Sequence, residues 1–182
     1  MSPRNQVMTY VSSRESAKLH SMRNYKQMAL VVEDVYASMD QWSKVLGIGP
    51  WDVRHFTPET VRDFKYQGEV VTEWFDFICA VTWVGAVEIE LIQPIAGPNI
   101  YWKHLKDHGP GLHHIKDVMP DSEIPAAVKH FEDAGFPVIQ TGWIDDDVHY
   151  YFDTKEKLGM VVEIGNGGKI RPAAEVYPPP AG

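Results

Sequence analysis

Between residues 26 and 165 the apolar positions change period repeatedly, and they do so in the same order twice. QMALVV, from Gln27, is a bulky apolar run of the kind that forms a strand buried on both faces. Asp34 then offers an N-cap, and Val35, Met39, Trp42 and Leu46 recur at helical spacing up to a stop at Gly47. WDVRHF predicts the next strand. Residues 57–72 show no clear period and are expected to be irregular. WFDFICAVTWV and AVEIELI predict two strands joined tightly at Gly85. NIYWKHLKDHG predicts a short helix ending at Gly109. A second series starts at His113–His114. Asp121 or Ser122 is expected to cap a helix that holds Ile124, Ala127, Val128 and Phe131 and stops at Gly135. FPVIQT, HYYFDT and GMVVEI predict the last three strands. Each series reads β-α-β-β-β. Gln27 precedes Asp34 by the same seven residues that separate His114 from Asp121, which argues for a duplicated unit.

The organisation expected from this is a basic N-terminal arm over residues 1–25, a domain over 26–165 and a Pro-rich extended tail over 166–182. Within the domain, module one covers 26–94, a linker helix 95–111 and module two 112–165.

Four polar residues interrupt the apolar strands: Gln27, Glu90, His114 and Glu163. A buried carboxylate or imidazole without a partner costs several kcal/mol. Convergence of the four on one cation is the most economical account of all of them. Strand alternation puts Glu88, Glu90 and Ile92 on one face and Val87, Ile89 and Leu91 on the other. Gln27 goes with Ala29 and Val31, His114 with Lys116, and Glu163 with Val161. If the sheet curls, the polar set faces the hollow and the apolar set faces the helices.

Composition narrows the classes. The 182 residues are 44% apolar and 23% charged, as in a globular domain. No apolar run is long enough for a membrane helix, and the N-terminus has no apolar signal core, so membrane association and secretion are not expected. The lone Cys79 precludes an internal disulfide and fits a reducing cytoplasm. The net charge of −8 is uneven: residues 1–26 hold five basic residues and one acid, whereas the rest holds twelve and twenty-four. That balance excludes a general nucleic-acid surface, which needs clustered Lys and Arg.

The segments QMALVVEDVYASMDQWSKVLGIGPW, VEIELIQP, GPGLHHI and YFDTKEKLGMVVEI resemble the vicinal oxygen chelate superfamily, also called the glyoxalase fold. Within it, the chain is most similar to the methylmalonyl-CoA epimerases. The resemblance implies an α+β fold of tandem βαβββ modules that form a cupped mixed sheet. It places the metal ligands on Gln27, Glu90, His114 and Glu163, with Glu163 doubling as base and Glu90 serving the opposite face. The epimerases usually carry His at the first position and often Gln at the second. Gln27 instead resembles some glyoxalase I enzymes, so the set mixes two subfamilies. Three oxygens and one nitrogen suit one divalent ion: Zn, Co, Ni, Mn or Mg. Gln27 also removes a His that an extradiol dioxygenase would need.

The implied activity is removal of a proton α to a carbonyl or thioester through a metal-stabilised enolate. The implied substrate is a small molecule with vicinal oxygens, an acyl-CoA among the candidates. The alternatives are a glyoxalase I-like lyase acting on a hemithioacetal and a non-enzymatic small-molecule-binding protein. Arg54, His55, Lys116 and Glu88 are the substrate-binding candidates. Relatives commonly pair, so a homodimer is expected.

Overall fold

In the computed structural model, residues 22 and 24–178 are described, and nearly all of the expected basic arm lies outside them. The elements run β1 (Tyr25–Val31), α1 (Val35–Leu46), β2 (Trp51–Phe56), β3 (Arg62–Tyr66), β4 (Glu69–Val70), β5 (Asp76–Val84) and β6 (Val87–Ala96). They continue with α2 (Ile100–His108), β7 (Gly111–Val118), α3 (Ile124–Asp133), β8 (Val138–Ile144), β9 (Asp147–Phe152), α4 (Lys155–Leu158), β10 (Val161–Gly165) and β11 (Glu175–Tyr177). Asp34 starts α1 by accepting from the Ala37 amide at 2.9 Å, and Gly47 ends it in the left-handed region at φ 66°. α3 differs from expectation, because neither Asp121 nor Ser122 caps it. Glu123 holds that position with no side-chain hydrogen bond, while the Asp121 carboxylate accepts from Asn166.

All strands join one sheet in the order β11-β2-β5-β6-β1-β7-β10-β9-β8-β3-β4. Its centre repeats the duplication in the sequence. β1 runs parallel to β6, β7 runs parallel to β10, and β1 and β7 meet antiparallel at the seam. The architecture is the expected α+β arrangement: tandem βαβββ modules in an open, cupped mixed sheet. On the convex side Ile89 and Leu91 pack with Val35 and Met39 of α1, and Phe152 and Ile164 pack with Ile124 and Ala127 of α3. The concave side is apolar at one end, where Ala29, Val31, Ile92 and Val161 meet Phe56, Phe77, Tyr101 and Tyr151. α2 closes that end, and the Tyr101 and Tyr151 hydroxyls lie 3.0 Å apart. Among the described residues, no helix is long and apolar enough to cross a membrane.

Two segments depart from the expected pattern. The stretch read as irregular contains the hairpin β3–β4, which leaves module one and pairs with β8 of module two. Asp63 and Gln67 both adopt φ of 53°, which breaks the alternation that would have marked the strand. The C-terminal segment is likewise more than an extended tail. The Gly168 amide donates to Asp147 Oδ1 at 3.1 Å, the Arg171 side chain pairs with Asp145, and β11 adds to the edge of β2. Glu175 accepts from the Tyr36 hydroxyl at 2.8 Å and Asp40 from that of Tyr177 at 2.7 Å. The segment thus straps module two back to module one.

Ending the chain after Gly165 should destabilise the domain by about 1–3 kcal/mol, since several hydrogen bonds worth about 1 kcal/mol each are lost. At about 2–4 °C per kcal/mol for a chain of this size, thermal unfolding would register the change. An unchanged midpoint would show that the strap does not support the sheet.

Candidate active site

Ladder register brings the four interrupting residues together. Gln27 on β1 stands beside Glu88 on β6 and Lys116 on β7, and Lys116 stands beside Glu163 on β10. The imidazole of His114 is fully buried, and its Nε2 collects all three partner oxygens. Glu163 Oε2 is 2.9 Å away, Gln27 Oε1 3.3 Å and Glu90 Oε2 3.5 Å. One ring nitrogen cannot satisfy three oxygens, and Glu163 Oε2, although buried, has no hydrogen bond. Three of the four residues are also held at the atoms facing away from this point. Gln27 Nε2 donates to Glu88 Oε1 at 2.6 Å, His113 Nδ1 meets His114 Nδ1 at 2.8 Å, and Lys116 Nζ pairs with Glu163 Oε1 at 3.0 Å. Lys116 also pairs with Asp147 at 3.2 Å. Glycine at 165 gives the lysine room, because a Cβ there would touch Lys116 and overlap the Val148 carbonyl.

The cluster opens into a cavity of about 550 Å³, a size suited to a small-molecule ligand. Its walls mix Phe56, Val81, Ile144, Tyr151 and Ile170 with charged groups. Five carboxylates (Asp52, Glu88, Glu90, Asp147 and Glu163) face three cations (Lys26, Arg54 and Lys116). Of the substrate-binding candidates, Arg54, Lys116 and Glu88 line the cavity, and His55 does not. Alternation along β2 turns His55 to the other face, where Nδ1 lies 3.6 Å from Asp76. Arg54 is held at the rim by Asp52 at 3.5 Å and by the Arg171 carbonyl of the strap at 3.3 Å. Sequence reasoning did not single out Asp147, His149 or the strap residues Gly167, Gly168 and Ile170. The first two alternate with Val148 and Tyr150 along β9, and the strap carries no period.

The family description Glyoxalase/Bleomycin resistance protein/Dioxygenase superfamily matches residues 26–152. The chain belongs to that superfamily. No curated protein matches the sequence. Solved structures of similar fold include methylmalonyl-CoA epimerase from Mycobacterium tuberculosis, with a TM-score of 0.58 at 14% identity over 84% of this chain and 96% of that one. A hypothetical protein from Bacillus halodurans gives 0.56 at 14% identity over 81% and 96%. A variant of Streptomyces coelicolor methylmalonyl-CoA epimerase in complex with 2-nitronate-propionyl-CoA gives 0.56 at 18% identity over 82% and 100%. These likenesses establish a shared fold.

Members of this superfamily commonly use a divalent metal, and the donors here suit one. Ligands at right angles and about 2.1 Å from an ion stand about 3 Å apart. The 2.9–3.5 Å separations from His114 Nε2 to its three oxygens are close to that spacing. Glu163 Oε2 is buried, makes no hydrogen bond and lies 2.9 Å from His114 Nε2, so it is the atom a cation would satisfy. As they stand, no three His, Cys, Asp or Glu side chains among the described residues form a ready-made cation site. The carboxylates lean on the imidazole instead.

That leaning sets the charge states. Burial opposes a charge on His114, yet Glu163 and Glu90 outweigh it and raise its pKa to about 9. Burial likewise opposes ionisation of Glu163, but Lys116 and His114 overcome it and hold the carboxylate at about 2. Glu88 goes the other way: burial and the neighbouring Glu90 push it to about 7. Burial, then the adjacent His114, keeps His113 well below its usual range, so its ring stays neutral.

For the metal-free protein these shifts fix a sign. The His114 contribution is complete below its ordinary value of 6.5 and is lost as pH rises through about 9. The raised Glu88 value also removes stability, between 4.5 and about 7. Thermal unfolding with chelator present should therefore show a midpoint that falls steadily from pH 6.5 to 9, and His114→Gln should flatten the slope over that window. A flat wild-type profile would mean that His114 carries no charge.

Proposed function

We propose that this protein is a divalent-metal-dependent isomerase that removes and returns a proton α to a carbonyl or thioester, as a methylmalonyl-CoA epimerase does. The observation that carries the reading is the convergence of Gln27, Glu90 and Glu163 oxygens on His114 Nε2 at the floor of the cup. A divalent ion held by these four residues (Zn, Co, Ni, Mn or Mg) would supply Lewis acidity that makes a C–H beside a chelated carbonyl more acidic. Glu163 takes the proton, and Lys116 keeps its carboxylate ionised and ready to accept. The same ion pair makes Glu163 a weak base. Its proton is therefore passed on readily, to water in the cup or back to carbon. Glu90 serves the opposite face when the stereocentre inverts. Tyr151, Phe56 and Ile144 give the cavity the apolar walls that limit water around the reacting carbon.

One observation favours the lyase alternative, in which a single carboxylate moves the proton between neighbouring carbons of a hemithioacetal. β5 turns Cys79 and Val81 to the cavity and offers no acid of its own. Paired cations favour substrates whose chelating oxygens are uncharged, because Lys116 and Arg54 already hold carboxylates. Lys26 also lines the cavity and is the cation proposed to meet the phosphates of an acyl-CoA. Homodimer formation and a cytoplasmic location rest on the family resemblance and on the single, buried Cys79. The terminal strands β11 and β4 are three and two residues long, so a pairing contact would use a face of the sheet rather than an edge.

Hydrogen exchange in heavy water tests the reading. Metal-loaded protein should wash deuterium into the α position of an acyl thioester or an α-hydroxy carbonyl compound. An epimerase scrambles the stereocentre, whereas a lyase yields a new constitutional product. Glu163→Gln should still bind metal, more weakly, and lose about 10²–10⁴-fold in turnover. Absence of exchange with both substrate classes in a metal-replete preparation would favour a binding protein. Full activity in Glu163→Gln would assign the base elsewhere.

A further inference from the structure

We infer that Glu88 is a positioning residue: it sets which end of the Gln27 amide faces the donor cluster. The inference rests on the metal-site reading above. A primary amide has an acceptor end and a donor end, and only the oxygen can ligate a cation. Nothing in a glutamine by itself chooses between them. Here Nε2 donates to Glu88 Oε1 at 2.6 Å, which leaves Oε1 at 3.3 Å from His114 Nε2. With Glu88 ionised, turning the amide over would press its oxygen against a carboxylate oxygen and aim N–H groups at the cluster. Both changes are unfavourable.

The fold supplies this contact directly. β1 and β6 run parallel with Gln27 opposite Glu88, and alternation puts Glu88 on the same face as Glu90. The two glutamates then divide the work, with Glu90 turned to the cluster and Glu88 to the amide. Among the described residues Glu88 makes no ion pair within 4 Å, and its hydrogen bond is the one to Gln27. The role matches those of the neighbouring ligands, since His113 holds His114 and Lys116 holds Glu163 at the atoms turned away from the centre. Partners of this kind typically change metal affinity by about 10–100-fold when removed.

A double-mutant cycle on Co²⁺ and Zn²⁺ affinity, measured by competition with a chelating dye, separates orientation from charge. Glu88→Leu should weaken binding by about 10–100-fold. Glu88→Gln keeps an acceptor oxygen and should lose clearly less. In a Gln27→Ala background, Glu88→Leu should change affinity by no more than about twofold, because its effect runs through the amide. Equal losses in Glu88→Gln and Glu88→Leu that persist with Gln27→Ala would overturn the inference in favour of a plain charge effect. Undiminished affinity in every Glu88 variant would overturn it outright. Glu88→Ala takes the place of Glu88→Leu if the latter does not fold. Wild-type protein that binds neither ion would instead refute the metal site itself, so the two failures are distinguishable.

Discussion

Buried carboxylates at the centre of the sheet are the constraint around which the site is built. Glu163 is almost fully enclosed and Glu90 nearly so, and an unpaired charge in such a position costs several kcal/mol. The ladder answers by setting a cation beside them. Lys116 lies between Gln27 and Glu163 in register, and its ammonium bridges Glu163 and Asp147. His114, next on the same face of β7, takes the remaining oxygens. A one-residue slip of β7 would move both cations to the convex face and leave the acids unpartnered, so the charges help to fix the pairing that the apolar positions also demand.

Much of this was readable from the chain. The four interrupting polar residues were legible because each breaks an apolar run, where chemistry and propensity disagree. Period-two alternation correctly assigned Ile89 and Leu91 to the helix-facing side and Glu88 and Glu90 to the cup. It also sends His55 away from the cavity, against the expectation for that residue, because Arg54 and Phe56 take the inward positions. What the sequence hid is what depends on distant partners. The role of Asp147 arises from its contact with Lys116 across strands, and no spacing along the chain announces it. The hairpin β3–β4 was hidden by its two positive-φ residues, and the strap by its Gly and Pro content.

Both hidden segments do the same job at opposite ends of the sheet. β3–β4 leaves module one to cover β8 of module two, and the C-terminal segment leaves module two to cover β2 of module one. Each module therefore lends the other its outer strand. The exchange leaves only short strands at the borders, which blunts edge-to-edge aggregation. It also makes the strap part of the cavity wall and of the Arg54 environment.

The strap has a further consequence for how the domain is made. β2 is synthesised first, and its outer partner β11 follows about 120 residues later. Contacts of such high sequence separation carry a loop-closure cost before they yield any stabilisation, and they slow folding. On the ribosome the outer edge of β2 would stay open until β11 emerges. The outer edge of β2 and the strap side of the cup wall can close only after β11 has been made.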